Sequence, residues 1–141
     1  MTESDVKQIK KGILKILILK LLQQEKKYGY ELLVEMSQKS KGFFKVKEGT
    51  LYPILYKLEE DGLVISEWEI PHDKMRVKKY YSITQKGKDE LKELIVFWNL
   101  LSTKVQDFLL EDNEYEGGAN RVSLIQARHN FLLFGACEEE M

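Results

Sequence analysis

Thr50, Tyr52, Tyr56 and Lys57 share a short run, residues 48–63, in which Leu51, Ile54, Leu55 and Leu58 recur at helical spacing. The apolar residues define one buried face of a helix, so the hydroxyl, phenols and ammonium group point elsewhere. A threonine methyl can touch the methyl of thymine while its hydroxyl bonds either way, and a lysine neutralises a phosphate. That chemistry suits a helix lying in the major groove of DNA, with Thr50, Tyr52 and Tyr56 as candidates for base or sugar contacts. Lys45, Lys47, Lys57, Lys74, Lys78 and Lys79 are the candidate phosphate binders. The first-turn amides of the second and third helices could hold phosphates too. Arg76 could enter a minor groove, where the negative potential favours arginine. Tyr28 and Tyr30 divide between core and phosphate contact, and at least one of Tyr80 and Tyr81 is expected to pack in a strand.

Bond-making chemistry is not indicated. The two histidines, His72 and His129, lie far apart, and no metal-ligand spacing, nucleophile elbow or phosphate-cradling glycine loop is present. The expectation is a protein that is not an enzyme and takes no cofactor and no metal. A single cysteine, Cys137, forms no internal disulfide, which suits a reducing cytoplasm. The most apolar segment, Ile13–Leu22, contains Lys15 and Lys20 and is too short to span a bilayer. It is also a poor signal peptide, because the lysines interrupt it and no small-residue cleavage site follows. A soluble cytoplasmic protein is expected. With 141 residues, 43% of them hydrophobic, the chain can bury a core without staples, as one domain plus an appendage. Its net charge of −1 conceals a split: 18 Lys+Arg against 12 Asp+Glu in residues 1–88, then 4 against 11 in residues 89–141. A basic front half and an acidic back half suit a nucleic-acid face joined to a part with another role.

The elements that must position these residues are legible in outline. A first helix is predicted over Val6–Gln24. Ile9, Ile13, Ile16, Leu17 and Leu21 make it apolar on most sides, so it should pack on its own domain and on a partner chain. Gly29 breaks the pattern, and a second helix over Tyr30–Lys39 buries Leu32, Leu33 and Met36. Extended residues Phe43–Val46 lead into the third helix, which Asp61-Gly62 ends, with Gly62 free to turn left-handed. Pro53 implies that this helix starts later than Glu48 or has an irregular first turn. Leu63–Ile70 and Val77–Ile83 then read as two strands flanking the loop Pro71 to Met75. Thr84 can cap a last helix reaching Leu110. Leu91, Leu94, Trp98, Leu101, Val105 and Phe108 alternate by three and four along it, the seam of a coiled coil. A second stripe, Ile95, Phe97, Leu100 and Leu109, could pack on the first helix. At about 1.5 Å per residue this helix is roughly 40 Å long and outreaches the head, so a homodimer is expected. Arg121–Phe134 could form a further helix. The fold class is therefore mainly α with a small β-hairpin: a winged helix-turn-helix domain over residues 1–84, a dimerisation helix over 85–110, and an acidic linker and tail over 111–141.

Three motifs sharpen this reading: Tyr28-Gly-Tyr-Glu-Leu32, the whole of residues 48–63, and Arg76-Val-Lys-Lys-Tyr-Tyr-Ser-Ile-Thr84. In that order they closely resemble the phenolic-acid regulator (PadR) family of bacterial transcriptional regulators, over roughly residues 7–110. The resemblance implies a winged-helix homodimer that binds inverted-repeat operators in double-stranded DNA, most members being repressors. It implies that Gly49 to Lys57, Pro53 included, carries the recognition helix and that Lys74 to Lys79 belongs to the wing. The single C-terminal helix resembles the short subfamily, some of whose members hold drugs between paired tryptophans at the dimer centre. Trp98 matches that place, and with Ile16 it is the candidate contact for a small aromatic effector. The segment after Glu111 departs from the short members. The alternative from another class is a winged-helix protein-interaction module, against which the basic hairpin residues Lys74, Arg76, Lys78 and Lys79 argue.

Overall fold

The structure is a computed structural model that describes residues 1–72 and 76–110. Its elements run α1 (Glu3–Gln24), β1 (Lys27–Tyr28), α2 (Gly29–Lys39), α3 (Glu48–Glu60), β2 (Val64–Glu69), β3 (Lys78–Ile83) and α4 (Gln85–Leu110). The loop residues 73–75 and the tail, with the expected helix at Arg121–Phe134, His129 and Cys137, lie outside the described residues.

α1 starts at Glu3 rather than Val6 because Thr2 and Asp5 form a capping box. The Asp5 amide donates to Thr2 Oγ1 at 3.1 Å and the Thr2 amide donates to Asp5 Oδ2 at 3.0 Å. Leu14, Ile18, Leu19, Leu21 and Leu22 of α1 form the spine of the core, which Leu32 and Met36 of α2 and Leu51, Leu55 and Leu58 of α3 complete. Ile13, Ile16 and Leu17 are only half-buried and Ile9 is exposed, so part of the apolar circumference of α1 stays uncovered in the single chain.

Gly29 does not break the chain before α2 but begins it. It is buried under Tyr52 of α3, whose ring fills the space a side chain at 29 would need. α3 does start at Glu48, and Pro53 lies inside it. Pro53 has no amide to offer the Gly49 carbonyl, and in the first turn the Lys47 carbonyl accepts from both the Thr50 and the Leu51 amides at 3.0 Å. At the other end the Leu63 amide donates to the Leu58 carbonyl at 2.9 Å and the Gly62 amide to the Glu59 carbonyl at 3.0 Å. This Schellman closure needs the left-handed Gly62, with φ of 76°.

The hairpin expected from sequence has a third strand. β1 pairs with β3, giving an antiparallel sheet in the order β1-β3-β2. The register places Val64 opposite Ile83, Ser66 opposite Tyr81 and Trp68 opposite Lys79. Since successive side chains alternate between faces, buried Val64 and Tyr81 fix the inner face, which therefore also carries Trp68 and Lys79. Tyr28, Tyr80 and Lys78 share the outer face. Lys27 anchors β1 from within: its buried ammonium sits 2.9 Å from Glu35 and 3.3 Å from Glu25. Burial acts to lower its pKa, but the hydrogen bonds to Glu35 and Glu25 outweigh burial and hold it above the ordinary lysine value.

Thr84 caps α4 as expected, accepting from the Gly87 amide at 3.0 Å while its hydroxyl donates to the Gly62 carbonyl at 2.7 Å. Gly87 packs so closely on the Leu63 carbonyl that no side chain fits there. This contact and the Lys15–Glu90 pair at 3.4 Å fix the angle at which α4 leaves the head. Two expectations need correction. Leu91, assigned to the dimer seam, is 1% exposed and belongs to the core of the head, because the first turns of α4 pack directly on it. Of the second stripe only Ile95 packs against that core; Phe97, Leu100 and Leu109 are exposed, because they lie beyond the part of α4 that meets the head. Among the described residues no helix is long and apolar enough to cross a membrane.

Candidate nucleic-acid interface

Leu51, Leu55 and Leu58 hold α3 against the core, so the opposite side of the helix is what the head displays. Tyr56 stands at its centre, 72% exposed. Tyr52, 44% exposed, leans over Gly29 at the start of α2. On the other flank Thr50, Pro53 and Lys57 turn toward α1. The predicted α3 residues thus come together as one surface, divided between a flank facing α2 and the sheet and a flank facing α1. Lys57 is paired with Asp61 at 3.2 Å and Glu60 at 3.7 Å, and the Asp61 hydrogen bond raises its pKa. The pair is largely solvent-exposed, so it contributes little stability and a phosphate can displace it.

The wing residues do not act as one cluster. Strand alternation puts Lys78 and Lys79 on opposite faces. Lys78 Nζ lies 4.1 Å above the Tyr28 ring, which meets Tyr80 edge-on at 5.4 Å. Lys26 extends this outer cluster: its Nζ lies 2.6 Å from Glu69, whose hydrogen bond raises the lysine pKa, and 5.6 Å from the Tyr80 ring. On the inner face Lys79 sits 5.7 Å from the Tyr81 ring and 6.0 Å from that of Trp68. Burial raises the pKa of both Tyr80 and Tyr81, keeping them neutral at ordinary pH. Arg76 is exposed beside the tip, and Lys74 lies outside the described residues. Tyr28 is half-buried in the outer aromatic cluster rather than displayed beside α3.

Lys47 is exposed at the N-cap of α3. Lys45 is not beside the exposed α3 residues; it lies beside the C-terminal half of α2, near Val34 and Gln38. Trp68, in the strand read from Leu63–Ile70 and given no role there, is 69% exposed on the same face as Lys79. Its signal was available: a strand position in register with the buried Tyr81, but toward the tip of a hairpin that outruns the core. Also missed was a groove of about 550 Å³ between α1 and α3, which Lys7, Lys11 and Lys15 share with Thr50, Pro53 and Lys57.

Leu94, Trp98, Leu101, Val105 and Phe108 follow one another along α4. Leu94 is half-buried against the head, and the rest are exposed, Trp98 at 44%. Ile16 is half-buried on α1. Among the described residues no group of three or more His, Cys, Asp or Glu side chains gathers as metal ligands would.

A family profile described as "Transcriptional regulator PadR-like family" matches residues 18–93. A second, described as "Cysteine-rich CPCC", matches residues 80–141, but the sole cysteine, Cys137, cannot supply a cysteine-rich motif. An uncharacterised protein of Lysinibacillus sphaericus is 36% identical over 88 residues, which are 62% of this chain and 80% of that one. The negative transcriptional regulator PadR of Bacillus subtilis is 30% identical over 100 residues, 70% of this chain but 54% of its own length. This chain therefore spans about half of that relative. The crystal structure of a PadR-like transcriptional regulator from Bacillus cereus superposes with a TM-score of 0.64 at 35% identity, covering 72% of this chain and 96% of that one.

Proposed function

Starting from the fact that the chain belongs to the PadR-like transcriptional regulator family, we propose that it acts in the cytoplasm as a homodimeric, non-enzymatic repressor. It would read an inverted-repeat operator with α3 and the wing. One observation carries this reading. The exposed side of α3, with Tyr56 at its centre, carries Lys57 on its α1 flank, and the same head presents Arg76 and Lys79 in its wing. A helix of about 10–12 Å diameter fills a major groove of about 12 Å width. Basic groups of α3 and of the wing then meet the phosphate strands while tyrosine and threonine face base edges. The exposed seam of α4 supports pairing of two heads. A dimer places its reading helices about 34–36 Å apart, one turn of the duplex, on the two halves of a palindrome. Occupying such a site over a promoter excludes polymerase.

The reading is tested by fluorescence anisotropy with a labelled duplex from the intergenic region beside the protein's own gene. With about four phosphate contacts per head, affinity should fall by about 10³- to 10⁵-fold between 50 and 200 mM salt. Absence of binding at 50 mM, or binding indifferent to salt, would contradict it.

A further inference from the structure

The α1 wall of the groove between α1 and α3 has no part in the recognition surface read from sequence, yet it holds a row of charge. Lys7, Lys11 and Lys15 follow one another at every fourth position of α1, so they form one ridge, about 12 Å long, on the helix face that looks across to α3. The opposite wall carries Thr50, Pro53 and Lys57, the α1-side flank of the reading helix. We infer that this ridge is a second phosphate-binding surface, taking the DNA strand that borders α3 on its α1 flank. This rests on the DNA-binding reading above and extends it to a helix to which that reading gave no contact with DNA.

The geometry follows from the duplex. A helix filling the major groove has one phosphate strand on each side of it. α2 and β2 pack on α3, and the groove toward α1 opens along its other flank. Each strand carries one phosphate per about 3.4 Å of axis, so the ridge is long enough to meet roughly two or three in succession. The floor of the groove is apolar, formed by Ile54 and Leu58, which suits lysine stems lying along it with their ammonium groups at the rim. Existing partners do not block this. Lys7 pairs with Glu3 at 3.1 Å and Lys15 with Glu90 at 3.4 Å, all four side chains being more than a third exposed. The Lys7–Glu3 pair is readily exchanged for a phosphate at such exposure, whereas Lys15 adds its charge to the ridge while held to α4 through Glu90. Lys11 is exposed at the middle of the ridge.

The test compares two variants of the full chain that lose equal charge. Lys7→Gln with Lys11→Gln removes two groups of the ridge and leaves Lys15 to its pair with α4. Lys20→Gln with Lys39→Gln removes two exposed lysines that border a different hollow, between α1 and the end of α2. Both should melt like the parent. Binding to the duplex is followed from 50 to 200 mM salt, with an unrelated duplex in parallel. In the first variant the slope of log affinity against log salt should shrink by about 3.6 for a dimer, which loses four contacts at about 0.9 each. The affinity loss should be the same on both duplexes, because phosphates carry no sequence. The second variant should keep the parental slope. An unchanged slope in the first variant, or an equal loss in both, overturns the inference while leaving the function intact. Failure of the parent protein to bind any duplex overturns the function itself.

Discussion

Replacing Leu101 and Val105 together by glutamate is expected to convert the protein from dimer to monomer and to weaken operator binding at least a hundredfold. Leu101 is 42% and Val105 44% exposed, and neither belongs to the core that holds the head together. The head should therefore keep its fold and its own melting transition. What should fail is the proposed seam: a two-fold axis there would bring four new carboxylates into a place that excludes water, and unpaired buried charge is strongly unfavourable. With the seam lost, the two heads no longer share one effective concentration, and that linkage contributes about 10²- to 10⁴-fold to binding of a two-part site. Sedimentation velocity and anisotropy on the same preparation read both effects. A variant that stays dimeric, or a monomer that binds like the parent, would remove α4 from the account.

The second large effect is on stability. Leu51→Ala should cost about 3 kcal/mol, read as a lower midpoint in urea at unchanged slope. Leu51 is fully buried where α3 meets the α1 spine, one residue before Tyr52 on the exposed side. Truncation leaves a cavity that the rigid turns around it cannot close. Domains of this size are stable by about 5–15 kcal/mol, so the loss is a large share of the total. A cost under about 1 kcal/mol would mean that α3 is not anchored as described.

Most of the head was legible because its signals are local. The leucine spacing of α3, Gly62 at its end and Thr84 before α4 each fix a feature within a few residues of chain, and each occurs as read. The failures have a different origin. β1 is two residues long and exists because β3 offers it an edge, a pairing between positions 27–28 and 80–81 that no local pattern announces. Leu91 continues the heptad without fault, and only the tilt of α4, set by Gly87 against Leu63, decides that the head takes it instead of a partner. The ridge of Lys7, Lys11 and Lys15 was hidden in another way. Lys15 read only as an interruption of an apolar run and Lys7 and Lys11 carried no reading, and their common face acquires meaning only once α3 lies across from it. On α3, residue type and helical phase placed Tyr52 and Tyr56 on the exposed side, whereas the positions of Lys45 beside α2 and Lys78 on the outer sheet face follow from a loop path and a strand register that lie beyond local spacing.

The central claim, that paired heads read a palindrome through α3 and the wing, is tested most directly by a hydroxyl-radical footprint of the full-length protein on the intergenic region beside its gene. The account predicts two protected patches related by two-fold symmetry, about one helical turn apart from centre to centre. A single unpaired patch, or cleavage unchanged along the whole fragment at low salt, would contradict it.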